Sequence, residues 1–175
     1  IGATTRSGLL SNPLRDRFMG HLHFDFYEAK DLAQIIHQNS KKLSVEIDTE
    51  AVSELSLCSR GTPRVANRIL RRVRDFALVE GAEKIEKNQV KKSLELMEID
   101  TYGLDRMDRK ILKVIDEYYS GGPVGIEALS ATLGEDKGTL EDVFEPFLLK
   151  EGFLIRTPRG REISQKAKEH LKSSS

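Results

Sequence analysis

Apolar residues recur at helical spacing through most of this chain, and the pattern is clearest from Gly61 to Ala77. Thr62 is a good helix N-cap, and Pro63 follows at the first helical position, where its missing N–H costs nothing. At about 100° per residue, Val65, Ala66, Ile69, Leu70, Val73, Phe76 and Ala77 share one broad apolar face. Arg64, Arg68, Arg71 and Asp75 form a stripe on the opposite side. The helix should stop near Gly81. Leu32, Ile35 and Ile36 mark a helix over 28–42. Asp48 caps a second, carrying Val52 and Leu55 and ended by Gly61. Asn88 to Met97 is another, with Val90, Leu94 and Met97 on one face. Short helices with brief connections predict a compact bundle over 28–100, close to the lower size limit for independent folding.

Thr101-Tyr102-Gly103 reads as a linker. Beyond it, Asp105 to Tyr119 is amphipathic, with Met107, Ile111, Leu112, Ile115 and either Tyr118 or Tyr119 facing inward. Gly121-Gly122-Pro123 breaks that helix. A short helix runs from Ile126 to Leu133 and stops at Gly134. A third starts at Asp136 or Thr139 and ends at Gly152, with a kink expected at Pro146. Phe153 to Arg156 is a strand, Thr157-Pro158-Arg159-Gly160 has type I turn chemistry, and Arg161 to Ser164 returns. Three helices and a β-hairpin, over 101–175, give the order of a winged helix. The tail from Gln165 is helical and ends in serines.

Upstream, period-two alternation in His21-Leu22-His23-Phe24-Asp25-Phe26 predicts a strand with one buried face, and Ile1 to Thr5 reads as the end of another. Between them, Ser11 or Asn12 caps a short helix opening at Pro13. Two strands and one short helix cannot bury those faces alone. Residues 1–27 are therefore expected to be the closing elements of an α/β domain, in a chain that reads as a piece of something longer.

Charge changes this picture little. Among 175 residues, Lys plus Arg and Asp plus Glu are 28 each, so any basic surface must be local. Residues 28–100 balance as well, with 13 basic and 13 acidic side chains. The single Cys58 excludes an internal disulfide and fits a reducing compartment. No apolar run approaches membrane-spanning length, and no signal peptide is read.

Candidate chemistry is concentrated in arginines. A four-residue turn at 157–160 places Arg156 opposite Arg161 on one face of the hairpin. Like charges so placed, with Cβ atoms roughly 5 Å apart, are destabilising unless an anion lies between them. Arg159 at the turn adds a third charge, and a phosphate backbone would satisfy all three. The competing reading is a solvated tip screened by salt. The preceding helix is acidic, carrying Glu135, Asp136, Glu141, Asp142, Glu145 and Glu151 against Lys137 and Lys150. Phosphates would repel it from the major groove, so if this domain touches DNA the wing should do it, and base-specific readout is not expected. Arg64 lies in the first turn of its helix, beside unpaired backbone donors that already favour an anion. A negatively charged partner is one reading, and a solvated basic face the other. Arg15 and Arg17, on the short helix between the two upstream strands, are either arginines offered to a neighbour's phosphate or solvated charges flanking Asp16. His21, His23, His37 and His170 have no metal-ligand spacing with one another or with Cys58, so no metal site is read. There is no nucleophile elbow and no G-x-x-x-x-G-K-[ST] phosphate loop.

Three stretches are specific enough to suggest a family: Ile-Gly-Ala-Thr-Thr-Arg-Ser-Gly-Leu-Leu-Ser-Asn-Pro-Leu-Arg-Asp-Arg-Phe, then Gly-Thr-Pro-Arg-Val-Ala-Asn-Arg, then Gly-Phe-Leu-Ile-Arg-Thr-Pro-Arg-Gly-Arg. Together, and over the whole chain, they resemble the RuvB family of bacterial Holliday-junction branch-migration motors, departing from it at Met19-Gly20, where Arg-Phe-Gly is usual. The resemblance implies a mainly α fold: the end of an AAA+ α/β ATPase domain at 1–27, a four-helix lid domain at 28–100 and a winged-helix DNA-binding domain at 101–175. By the same resemblance, Thr4 and Thr5 match the strand end that senses the γ-phosphate. Arg17 matches a nucleotide-contacting arginine, with Arg15 the other arginine-finger candidate and the trans-acting one left open. Tyr27 matches a nucleotide-contacting tyrosine, Arg64 the sensor arginine of the lid, and Arg156 and Arg161 a DNA-contacting pair. It further implies ATP with Mg²⁺, a homo-hexameric ring around duplex DNA, Holliday junctions as substrate, RuvA and a RuvC-type resolvase as partners, and a cytoplasmic setting without membrane attachment. The stretches that carry the phosphate loop and the acidic Mg²⁺-binding motif in that family are not in this sequence, so the chain as it stands should not hydrolyse ATP. The alternative from another class is a non-enzymatic winged-helix DNA-binding regulator or partner-docking module.

Overall fold

Side-chain caps decide where several of the helices begin. Asp48 accepts a hydrogen bond from Ala51 N–H at 2.8 Å, and Thr62 one from Val65 N–H at 3.4 Å. Asp105 accepts from the N–H groups of Met107 and Asp108 at 2.8 and 3.0 Å. Each satisfies donors that the first turn leaves without a partner. The structure, a computed structural model, describes residues 1–4, 8 and 10–173. Its first helix, α1 (Asn12–Arg15), has Ser11 at the N-cap and Pro13 in the first turn.

Residues 28–100 hold α2 (Ala29–Lys42), α3 (Thr49–Leu57), α4 (Pro63–Val79) and α5 (Lys87–Leu96). Two short strands, β1 (Glu46–Ile47) and β2 (Lys84–Ile85), pair in parallel and pin the α2–α3 connection to the α4–α5 connection. Their core contains Leu32, Ile36, Leu55, Ile69, Leu70, Val73, Ile85 and Val90. Ala66, Ile69, Leu70, Val73 and Ala77 of the α4 stripe are buried, with Val65 and Phe76 partly so.

A second core follows α6 (Arg106–Tyr119) and α7 (Ile126–Leu133) and includes Leu104, Ile111, Leu112, Ile115, Leu129, Leu148 and Phe153. Tyr119 packs on this core and Tyr118 is exposed, which resolves the choice between them. The third helix of this unit is broken into α8 (Lys137–Thr139), a π-helical turn over Leu140–Phe144, and α9 (Glu145–Lys150). Pro146 explains the break: it has no N–H to give the carbonyl four residues back, so the helix widens before it. Strands β3 (Leu154–Thr157) and β4 (Gly160–Ile163) form the antiparallel hairpin, and α10 (Gln165–Ser173) closes the chain. Val124 pairs with Arg161 through two backbone hydrogen bonds of 2.8 and 2.9 Å. Gly160, at φ +140°, is a glycine of necessity, because a Cβ there would run into the Val124 carbonyl.

The upstream strands are a correction. Neither Ile1–Thr4 nor His21–Phe26 forms a strand among the described residues. Alternation gives a segment two different faces, but a ladder also needs a neighbouring strand to receive its N–H and C=O groups. Thr5 lies outside the described residues.

Candidate nucleotide-sensing and nucleic-acid-binding surfaces

The apolar stripe of α4 is sunk into the bundle, which turns its other side to solvent. Arg64, Asn67, Arg68, Arg71, Arg72 and Asp75 line an open cleft of about 530 Å³ there. Asn67 is held by the side-chain amide of Asn39 at 2.6 Å, and Arg74 is drawn off to Asp75 at 2.6 Å. Arg64, Arg68, Arg71 and Arg72 are exposed, and none is drawn into an ion pair among the described residues. Four guanidinium groups without internal counterions are a donor set suited to a polyphosphate. Arg64 sits where its charge opposes the helix dipole, so an anion beside it would relieve that helix as well as bind to it.

Tyr27 is brought to the start of the same helix. Its N–H donates to the Gly61 carbonyl at 2.8 Å, three residues before Arg64, and its ring is half exposed. Arg17 lies exposed in the turn after α1, and Arg15, also exposed, closes α1 itself. Thr4 is exposed and lies in neither a helix nor a strand. Among the described residues no group of three or more His, Cys, Asp or Glu side chains is placed to hold a metal ion. Cys58 is buried and its thiol is pushed up to about 12, first by burial and then by Glu54 and Asp100, which leaves it inert as a nucleophile.

The hairpin has the expected register: Arg156 pairs with Arg161, and Thr157 with Gly160. What lies between the two arginines is the protein's own carboxylate. Glu145, 2% exposed, accepts from Arg156 Nη2 at 2.7 Å and from Arg161 Nε at 2.6 Å. Glu141 accepts from Arg161 Nη2 at 2.9 Å. Like-charge repulsion across the ribbon is thus answered from within, and it is no sign of an external phosphate. Arg161 is buried. Burial alone would lower its pKa, but Glu145 and Glu141 outweigh burial and hold the guanidinium above its ordinary value. Arg156 keeps 53% of its side chain in solvent, and Arg159 is exposed at the turn. The tip therefore presents Arg156 and Arg159, while Arg161 braces the hairpin against the acidic helix. Glu141 and Glu145 of that helix have a structural use that its charge pattern alone did not reveal.

A residue absent from the sequence reasoning joins the two units. Arg60, in the turn after α3, donates to Asp105 and Asp108 at 3.1 Å each, and its guanidinium lies 4.2 Å from the centre of the Phe147 ring. Asp105 and Asp108 form the capping box at the start of α6. Nothing in their spacing reveals a cation 45 residues earlier in the chain.

Known proteins match this arrangement closely. Residues 27–100 match the RuvB AAA lid domain, and residues 101–172 the RuvB C-terminal winged helix domain. The chain is 55% identical over 167 residues to the Holliday junction branch migration complex subunit RuvB of Lactobacillus johnsonii, covering 95% of this chain and 49% of that protein. It is 50% identical over 172 residues to the protein of the same name from Myxococcus xanthus, covering 98% and 50%. Among solved structures, the Thermotoga maritima RuvB Holliday junction branch migration motor superposes with a TM-score of 0.95 at 53% identity, covering 98% of this chain and 57% of that one. The chain spans about half the length of the curated relatives it matches.

Proposed function

The chain belongs to the RuvB family, carrying its lid and winged-helix domains, and on that premise we propose that it is the sensing and DNA-holding part of an ATP-driven motor that moves Holliday junctions in recombination and repair. We take residues 1–27 as the end of the ATPase domain, 28–100 as the lid and 101–175 as the DNA-binding domain. One observation carries the reading: the unneutralised arginine row of α4, opening at Arg64 beside the backbone contact of Tyr27. A helix face of four exposed cations, with no ion pair among the described residues, suits an anion, and the family supplies ATP.

On this reading Arg64 and Tyr27 hold the nucleotide from the lid side, Thr4 and Thr5 lie near its γ-phosphate, and Arg17 or Arg15 reaches the nucleotide of a neighbouring subunit in a hexameric ring. ATP, when bound, supplies the free energy of hydrolysis, and most of the ligands of ATP and Mg²⁺ belong to the part of the family's proteins that this chain does not span. The residues here orient the nucleotide and register its presence. At the other end, Arg156 and Arg159 contact the duplex backbone without reading bases, and Arg161 serves that contact by holding the hairpin. RuvA, a RuvC-type resolvase and a cytoplasmic setting complete the proposal; no helix among the described residues is long and apolar enough to cross a membrane.

The test is direct. With RuvA and a synthetic four-way junction, the full-length protein should convert the junction to duplexes only when ATP is hydrolysed, whatever the arm sequences. A regulator would instead bind one duplex sequence far above random DNA and leave ATP intact.

A further inference from the structure

We propose that Arg60 is the positioning residue that ties the lid to the winged domain, so that displacement of the start of α4 is passed to the wing and is not absorbed in the linker. This rests on the reading of α4 as the nucleotide-sensing helix.

Arg60 stands at φ +56° and Gly61 at φ +69°. The first is a left-handed backbone conformation that an arginine adopts less readily than glycine, so its side chain has to be accounted for. Only 12% of that side chain is exposed. The guanidinium fork engages both carboxylates of the box that starts α6, and each carboxylate divides its oxygens between two tasks. Asp105 Oδ1 accepts the helix N–H groups of Met107 and Asp108, while its Oδ2 accepts Arg60 Nη1. Asp108 Oδ2 accepts the Asp105 N–H, while its Oδ1 accepts Arg60 Nη2. Asp108 is fully buried. The flat face of the same guanidinium covers Phe147 of α9.

One side chain of the lid thus grips two helices of the winged domain, with the geometry only a planar fork provides. Asp105 and Asp108 both accept from this one guanidinium in a largely dry site, so the two units separate only at the cost of both hydrogen bonds.

What makes the joint a transmission element is its place in the chain. Arg60 is four residues before Arg64. Gly61, between them, receives the Tyr27 N–H, and with no Cβ it lets Phe26 and Lys150 of α9 close over it. On α9, Phe147 lies under Arg60, and Glu145 holds Arg156 and Arg161 of the wing. A continuous set of contacts therefore runs from the head of α4 through α9 to the hairpin.

The experiment uses the full-length protein with spin labels at exposed positions Glu83 of the lid and Glu117 of the winged domain. Pulsed electron-electron distances should be narrowly distributed in the parent, and Arg60→Ala should widen the distribution at least twofold. The same variant should keep ATP hydrolysis within about twofold while ATP-driven junction migration falls tenfold or more. Arg60→Lys, which keeps the charge but reaches one carboxylate at a time, should restore part of both. Should Arg60→Ala fail to fold by circular dichroism, Asp105→Asn, which keeps the helix cap, should widen the distribution in the same sense. An unchanged width, or migration lost only in proportion to hydrolysis, overturns the proposal. If the parent moves no junction at all, the functional reading fails, and the distance widths still decide whether Arg60 ties the units together.

Discussion

Glu145 shows how much one carboxylate decides in this molecule. Buried beneath the hairpin, it is shared by two arginines whose side chains would otherwise repel each other across the ribbon. Arg161 and Arg156 are consequently unequal. Removing Arg161 takes the buried partner from Glu145 and leaves that nearly dry carboxylate to the half-exposed Arg156 alone, so Arg161→Ala should cost about 2–3 kcal/mol of stability. Arg156 is half in water, and Arg156→Ala should cost about 1 kcal/mol or less. Urea unfolding of the two variants checks the difference, and equal losses would contradict it. Duplex binding should divide the other way: Arg156→Ala with Arg159→Ala should weaken it for all sequences alike and lower the salt slope by about 2. A change in sequence preference at constant slope would speak against the wing as a phosphate grip. Sequence alone placed Arg156 opposite Arg161, because the turn fixes the register. It could not place Glu145 between them, since that depends on how a helix one element away packs against the ribbon.

Among the elements, helices were legible where a cap, an apolar stripe and a stop agree. Thr62-Pro63 opening α4, Asp48 opening α3 and Gly134 ending α7 are all local chemistry. The segments before residue 28 were not legible: they read as strands and form none among the described residues, because period two describes a strand's faces and says nothing of its neighbours. Nor was the clamp, since Asp105 and Asp108 look like an ordinary capping box until Arg60 arrives from the lid. That clamp has a pH signature. Burial, reinforced by the Asp105 carboxylate, pushes Asp108 up to about 7 against the pull of Arg60. Between about pH 4, where an unfolded aspartate releases its proton, and about pH 7, the folded chain holds a proton the unfolded chain has lost. Stability from this group therefore falls as pH rises through that window and levels off above it. Unfolding free energies at about pH 5 and pH 8 should show the decline, and Asp108→Asn, which retains the cap, should flatten it.

Taken as a whole, the molecule is two helical cores joined so that the linker has little freedom of its own. Asp100 accepts the N–H groups of Tyr102 and Leu104 at 2.9 Å each, and its other oxygen meets His170 Nε2 of α10 at 2.9 Å. Arg60 adds the fork described above. On the proposed reading, these ties pass a binding event at the arginine row of α4 on to the hairpin. Arg64, on the same reading, reports nucleotide occupancy without itself touching DNA. ATP hydrolysis and nucleotide-free duplex binding, measured side by side on full-length Arg64→Ala, test it most directly. Hydrolysis should fall at least tenfold while duplex affinity stays within about twofold; hydrolysis at the parental rate, or affinity lost in step with it, would contradict the account.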